Sequence, residues 1–183
     1  MATKARTGTT QKRRGGGKPQ SGVSFELGAK VSERVEIQDV RLLASTSKQT
    51  TLVASPQIEV RFSHGVEISV DRDKSLVAVV PRFVMQAFPA GQKDKEVAVE
   101  VEAVFLLTYS ISDLKGLLQS HYESFAQTNG VYNAWPYWRE YLQNAITRMG
   151  LPTLTVPVFR VGSRPKKPSK SSRSKSRKSK KSS

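Results

Sequence analysis

The sequence contains no cysteine, and no uninterrupted apolar stretch is longer than the five residues Ala103–Leu107. Without cysteine the chain cannot form disulfide bonds, thiolate nucleophiles or cysteine metal ligands. A membrane-spanning helix needs about 18 or more apolar residues, and the basic N-terminus is not followed by the apolar run of a secretory signal. We therefore expect a cytoplasmic protein without a membrane span.

Acidic residues are missing from both ends of the chain. Residues 1–22 and 164–183 hold 16 of the 30 Lys and Arg residues and none of the 15 acids, so the rest of the chain has a formal charge of −1. Both ends carry too little apolar surface to offset the ~1–2 kcal/mol per residue of backbone ordering entropy. The sequence predicts disordered basic tails at 1–22 and 162–183 around one folded domain at 23–161.

Alternation of apolar and polar residues predicts four successive strands in the domain. The clearest alternation covers Ile58–Val70 and indicates a strand that is buried on one side. Further strands are predicted at Val35–Leu42, at Leu76–Phe88 with apolar residues on both faces, and at Val97–Tyr109. The short turns between the strands predict an antiparallel meander.

After the fourth strand the hydrophobic period changes to that of a helix. Ser112 is predicted to cap a short amphipathic helix that ends at Gly130. A second helix is predicted to begin near Asn133, with Pro136 in its first turn and Gly150 as its stop. Strands followed by helices are typical of an α+β fold, here with two helices packed on one side of a four-stranded antiparallel sheet.

No catalytic pattern is recognisable in the sequence. The two histidines, His64 and His121, have no metal-ligand spacing to a second ligand, and no nucleophile elbow marks a serine triad. Glu100 and Glu102 share a strand face, but its polar alternation predicts solvent exposure instead of the desolvated cleft that acid–base catalysis needs. We expect a binding protein that is not an enzyme and that uses no metal and no cofactor.

Two surface features of the predicted domain could serve a partner. Aromatic residues crowd the second helix, where Tyr137 and Tyr141 lie about 100–200° around the axis from Trp135 and Trp138. Apolar side chains on two faces of one helix predict a second partner, either another subunit or a bound chain. The other feature is acidic, and it is either an ordinary solvated face or a docking face for a basic partner. Strand parity places on it Glu59, Glu67, Asp71, Glu96, Glu100 and Glu102.

The stretch Trp135–Glu140, with the sequence WPYWRE, precedes Leu151–Leu154, with the sequence LPTL. This combination resembles the SecB export chaperones, in which an aromatic-Pro-Tyr-x-Arg-Glu helix start is followed by a Pro-x-Leu segment. The resemblance covers about residues 35–160. It implies a dimer of dimers that holds unfolded or preprotein clients in apolar grooves without ATP and passes them to the motor SecA, which docks on an acidic sheet face.

The resemblance also implies site residues. The implied client-binding residues are Phe125, Tyr132, Trp135, Leu151, Leu154, Val156 and Phe159. By their surface character, Glu67, Glu100 and Glu102 are candidates for docking of the motor.

Two departures from the family pattern leave alternatives open. A basic tail stands where the family usually has a second helix and an acidic or polar tail, and the basic N-terminal extension is foreign to the family. A chaperone dedicated to an antitoxin is therefore an alternative to an export chaperone. The tails add a third hypothesis, in which the protein acts on nucleic acid or another anionic surface.

Overall fold

The computed structural model describes residues 24–50, 58–89 and 96–159. In these residues one helix precedes four strands, and further helices follow the strands. The predicted tails at 1–22 and 162–183 lie outside these residues. The elements in chain order are α1 (Phe25–Ser32), β1 (Val35–Gln49), β2 (Ile58–Asp71), β3 (Leu76–Pro89), β4 (Val99–Ile111), α2 (Gln119–Phe125), a π-helical turn (Ala126–Gly130) and α3 (Val131–Arg148). Residues 151–159 follow without regular secondary structure.

The four strands form one antiparallel sheet in the order β1-β4-β3-β2. Strands β2, β3 and β4 are consecutive neighbours, as a meander requires. Strand β1, however, pairs with β4 from Val35↔Ile111 to Gln49↔Val99, so the predicted meander is wrong for the first strand. This order places the two most apolar strands in the centre and leaves the more polar β1 and β2 at the edges, where solvent reaches them.

The core lies between one face of the sheet and the helices. The inward side chains of Val79 and Phe83 on β3 are completely buried. Trp138 of α3 stacks on Phe83, with the ring centroids 5.5 Å apart. Asn133 donates a hydrogen bond to the hydroxyl of Tyr109 at 3.1 Å, and burial raises the pKa of that hydroxyl. The predicted α+β architecture, with helices on one side of a four-stranded antiparallel sheet, is confirmed.

Helix α1 is an element that the sequence pattern does not reveal. It packs on α2 instead of on the sheet, and the amide of Asn129 donates to the hydroxyl of Ser32 at 2.8 Å. Its eight residues bury only Gly28 and Val31. A helix of eight residues spans little more than two turns, which is too short for its apolar period to be recognised from the sequence.

The predicted start of the first helix after the sheet is also wrong. Helix α2 begins at Gln119, and Ser112 caps no helix. The hydroxyl of Ser112 donates instead to the backbone carbonyl of Arg34 at 3.1 Å, which ties the end of β4 to the start of β1. Ser hydroxyls satisfy backbone groups in loops as readily as at helix starts, and the sequence alone does not separate the two uses.

Gly130 does not end a helix as the sequence predicts. Its backbone is helical, with φ −60° and ψ −50°, and the chain continues through the π-helical turn directly into α3. A Cβ atom at Gly130 would lie only 2.7 Å from Cγ1 of Val79. The glycine therefore serves the close approach of the helices to β3. The true stop is Gly150, which has φ +69° directly after α3, as predicted.

Replacing Gly130 by alanine is expected to lower the free energy of unfolding by about 1–2 kcal/mol, measured by urea titration. Alanine is intrinsically the better helix former, but Val79 is fully buried and β-branched and cannot rotate away from the new methyl group. Gly65→Ala is the matched control, because a Cβ at Gly65 meets nothing within 4 Å. Equal stability of Gly130→Ala and wild type would contradict this close packing.

Candidate functional site

The first candidate site is an apolar cleft of about 330 Å³ between the sheet and the end of α3. Edge strand β2 and its neighbour β3 form the floor. Gly150 and Pro152 end the helix, and the following residues then turn back to form one wall. We call this site the leucine cleft, and its lining includes Ile58, Val60, Met85, Ile146, Leu151 and Leu154.

The second candidate site is a depression of about 550 Å³ beside the first half of α3. Residues 132, 136 and 139 lie on one face of the helix because they are spaced at i, i+4 and i+7. Strand β1 and the end of the segment 151–159 complete the rim. We call this site the aromatic cleft, and its lining includes Ile37, Tyr132, Trp135, Tyr137, Arg139 and Phe159.

The segment 151–159 contributes to both clefts. Trp135 Nε1 donates to the backbone carbonyl of Pro157 at 3.0 Å, so the segment returns along α3 toward its start. Val156 is buried in the core, and the ring of Phe159 packs on that of Trp135 with the centroids 5.3 Å apart. An indole hydrogen bond and two apolar contacts therefore hold the segment in place.

The predicted client-binding residues divide between surface and core. Leu151 and Leu154 line the leucine cleft, and Tyr132, Trp135 and Phe159 line the aromatic cleft. The other two predicted residues are not at the surface. Phe125 is only 1% exposed, with its ring edge against that of Tyr109, and Val156 is buried as well. A buried side chain cannot touch a client, so we place Phe125 and Val156 in the core that supports the clefts.

Several cleft residues are not among the sequence predictions. Ile58 and Val60 belong to a strand whose inward face is predicted, but only the fold brings that face beside Leu151. Tyr137 is predicted to be surplus to the core and is 48% exposed, which fits its place on the rim. Arg139 lies within the WPYWRE motif, and its i+7 spacing from Tyr132 is the signal that predicts a shared helix face.

His64 lies on the helix-facing side of edge strand β2, close to both clefts. Its ring is 5.5 Å from that of Phe159, edge to face, and 6.3 Å from that of Phe83. Partial burial against these rings lowers the pKa of His64. The imidazole is therefore a neutral packing partner of the segment 151–159.

Lowering the pH from about 7.5 to about 5.5 is expected to reduce the stability of the wild type by more than that of a His64→Phe variant. The pKa of His64 is lower in the folded than in the unfolded chain, so the unfolded chain binds the proton more tightly. The stabilising effect is complete above the unfolded pKa of about 6.5 and is lost as the pH falls from there toward the folded pKa. Urea titrations at each pH measure the difference, and identical pH profiles would contradict the role of His64.

The three acids predicted for docking lie on the outer face of the sheet, but Glu67 is apart from the other two, because Glu102 is level with Ser63 of β2. Glu67 is on β2, and Glu100 and Glu102 are on β4. Arg82 donates to both carboxylate oxygens of Glu102 at 2.6 and 2.7 Å, and these bonds lower the pKa of Glu102. Gln86 donates to Glu100 at 2.7 Å. The outer face thus combines acids with Arg82 and Gln86 from β3, a strand that the sequence predicts to be apolar on both faces.

Residues 24–50, 58–89 and 96–159 hold no group of three or more His, Cys, Asp and Glu side chains that could bind a metal ion. Within the same ranges no helix combines the length and the apolar character that crossing a bilayer requires. Apolar clefts are therefore the distinctive surface features of this part of the chain.

Comparison with solved structures yields an informative similarity. No protein-family model matches the sequence, and no curated protein matches it. The Mycobacterium tuberculosis SecB-like chaperone Rv1957, solved in complex with a ChAD peptide from the Rv1956 HigA1 antitoxin, aligns with a TM-score of 0.62 at 20% identity, covering 76% of this chain and 99% of that chain. A protein of unknown function from Streptococcus agalactiae aligns with a TM-score of 0.32 at 10% identity, covering 67% of this chain and 96% of that chain, and this similarity is too weak to support a conclusion.

The similarity to the Mycobacterium protein extends over almost that protein's full length. This similarity concerns the fold, whereas the WPYWRE and LPTL stretches carry the resemblance in the sequence. Both point to the same architecture. This chain has the SecB-like α+β fold.

Proposed function

We propose that this protein is an ATP-independent molecular chaperone that holds unfolded polypeptides in its two clefts. The observation that carries the proposal is the exposure of large apolar side chains around open apolar clefts. Tyr132 is 57% exposed and Val158 is 61% exposed, both on the rim of the aromatic cleft. Folded monomers rarely leave a continuous apolar patch uncovered unless a partner binds there.

An unfolded polypeptide matches the clefts better than a rigid ligand does. Its side chains project alternately, so an extended segment can place one apolar group in a cleft while its backbone stays solvated. Each apolar contact contributes about 25 cal/mol per Å² of area buried. Several such contacts give useful affinity for many sequences, and binding of this kind needs no catalytic residue and no nucleotide.

The structural similarity supports a polypeptide client. The Mycobacterium protein of similar fold was solved with a peptide of an antitoxin bound to it. For the present chain we propose export of preproteins from the cytoplasm, because WPYWRE and LPTL resemble the export chaperones. A chaperone dedicated to one antitoxin is the second candidate, favoured by the peptide in that complex. Binding to a panel of unrelated unfolded proteins supports the first role, and binding to a single partner supports the second.

We further propose that clients are handed to the SecA motor through the outer face of the sheet. Glu67 is exposed there, and Glu100 accepts a hydrogen bond from the neutral amide of Gln86. Glu102 already has Arg82 as its partner, so a basic surface would compete with that pair. Glu67 and Glu100 are therefore the stronger docking candidates of the three.

Assembly of several copies is proposed through strand β1. This strand is 15 residues long, lies at the edge of the sheet and exposes Ile37, Leu42 and Leu43. An edge strand with uncovered apolar side chains is a ready template for pairing with another chain. A dimer formed in this way, and a dimer of such dimers, would agree with the sequence resemblance. Light scattering of the purified protein measures the mass directly.

Suppression of aggregation tests the chaperone proposal. The full-length protein is mixed with a slowly folding client, and turbidity is followed at low and at high salt. Suppression that persists at high salt and in a variant trimmed to residues 23–161 supports binding in the clefts. Suppression that only the full-length chain shows, and that salt abolishes, would assign the activity to the basic tails and favour the nucleic-acid or anionic-surface hypothesis.

A further inference from the structure

The aromatic cleft contains one cationic side chain, Arg139. The Nε atom of Arg139 is buried, and no described residue accepts a hydrogen bond from it. The carboxylate of the adjacent Glu140 accepts a hydrogen bond from Asn144 instead. A guanidinium whose Nε has no partner among the described residues thus lines a cleft whose other side chains, apart from Asn133, are aromatic or aliphatic.

Among the described residues, Arg139 has the one buried guanidinium nitrogen without a hydrogen-bond partner. A guanidinium stays protonated in proteins, and buried donors without a partner are rare because each one carries a desolvation penalty. Four other arginines in the described ranges have carboxylates beside them, in the ion pairs Arg34–Asp113, Arg41–Asp39, Arg61–Glu59 and Arg82–Glu102, whereas Arg72 and Arg148 have no such pair there and are exposed.

The chain itself offers no acid for Arg139 in the residues outside the described ranges, except Asp94. Asp94 precedes Glu96 by two residues in the sequence, and Glu96 lies just before Val99, where β4 begins. Ile37 of the aromatic cleft pairs with Tyr109, ten residues further along β4. That separation corresponds to about 33 Å at the rise of a strand. A carboxylate for Arg139 would therefore come from another chain.

We propose that Arg139 selects client segments in which an Asp or Glu stands next to an apolar side chain, an inference that rests on the proposed chaperone function. The apolar side chain packs against Trp135 and Phe159, and the client carboxylate accepts hydrogen bonds from the guanidinium. Arginine suits this role because its planar guanidinium can bind a carboxylate through two parallel hydrogen bonds. The aromatic cleft then adds a charge criterion to the apolar contacts that both clefts provide.

Two peptides that differ at one position test the proposal. Both are unstructured and contain the same aromatic anchor, followed by Glu in one and by Gln in the other. The full-length protein is titrated with each labelled peptide at high salt, because the basic tails would otherwise attract any acidic peptide. We expect the Glu peptide to bind about 10-fold more tightly. Arg139→Gln should remove this preference, and Arg139→Lys should keep part of it.

Arg148→Gln is the matched control, because Arg148 is an exposed arginine of the same helix that is outside the aromatic cleft. It should retain the full preference. If wild type binds both peptides equally, the inference about Arg139 is overturned while the chaperone proposal stands. If wild type binds neither peptide, the chaperone proposal itself fails. If Arg139→Gln changes the oligomer mass and not the preference, the partner of Arg139 is a second copy of the chain, which also overturns the inference.

Discussion

Replacing Leu151 and Leu154 together by serine is expected to weaken the binding of an unfolded client roughly 30- to 150-fold. Both leucines line the leucine cleft and are only partly covered in the free protein, so a client would bury the rest of each. Losing that burial at two positions costs about 2–3 kcal/mol of binding free energy. The dissociation constant for a fluorescent, permanently unfolded client measures the effect.

Leu118→Ser is the control for this experiment. Leu118 is 63% exposed at the start of α2 and lines neither of the two clefts. Its replacement removes an exposed leucine without touching the proposed site, so client affinity should stay at the wild-type value. An equal loss in both variants would indicate non-specific adhesion to any exposed apolar side chain, and an unchanged affinity in the double variant would remove the leucine cleft from the binding surface.

Trp138→Ala is expected to lower the free energy of unfolding by about 3–5 kcal/mol. Trp138 is 1% exposed and lies nearly parallel to the ring of Phe83 beneath it and that of Tyr141 beside it. Its removal leaves a large cavity between α3 and the sheet, which rigid neighbours on β3 cannot fill. Urea unfolding followed by circular dichroism gives the free energy without relying on tryptophan fluorescence.

Replacement of the neighbouring residue, Tyr137, distinguishes a loss of core packing from a surface effect. Tyr137 is an aromatic residue of the same helix but lies on the rim of the aromatic cleft. Tyr137→Ala should therefore cost less than about 1 kcal/mol in stability. A destabilisation as large as that of Trp138→Ala would mean that Tyr137 is also a core residue and would weaken its assignment to the rim.

The faces of the strands could be predicted from the sequence, and their pairing could not. Alternation in Ile58–Val70 places one set of side chains inward, because successive strand residues point to opposite faces. The choice of β4 as the partner of β1 depends on residues at least 50 positions apart, and Val35 and Ile111 are 76 apart. No local pattern in β1 carries that information.

The helices show where a local signal has two meanings. Glycine commonly ends a helix, and Gly150 does so here. Gly130 instead removes a side chain where the backbone approaches Val79, and only the packed structure distinguishes the two uses. The resemblance carried by WPYWRE predicted the fold better than a single glycine does, because a family resemblance implies the whole arrangement of strands and helices.

Only one wall of each cleft could be predicted from the sequence. The family resemblance implies Tyr132, Trp135 and Leu154 as client-binding residues, and all three line the clefts. The opposite walls come from Ile37 and Ile58, which lie far away in the chain. Phe125 shows the limit of the same logic, because an aromatic residue near the cleft in sequence can belong to the core.

A photo-crosslinking measurement tests most directly whether unfolded polypeptide binds in the leucine cleft. A photoreactive amino acid is placed at Leu154 in one full-length variant and at Ser69, on the exposed outer face of β2, in another. We predict that the variant at position 154 crosslinks to a client while that client is unfolded and stops doing so once it has folded, and that the variant at position 69 gives little product in either state. Equal crosslinking from both positions, or none from position 154, would contradict the proposed site.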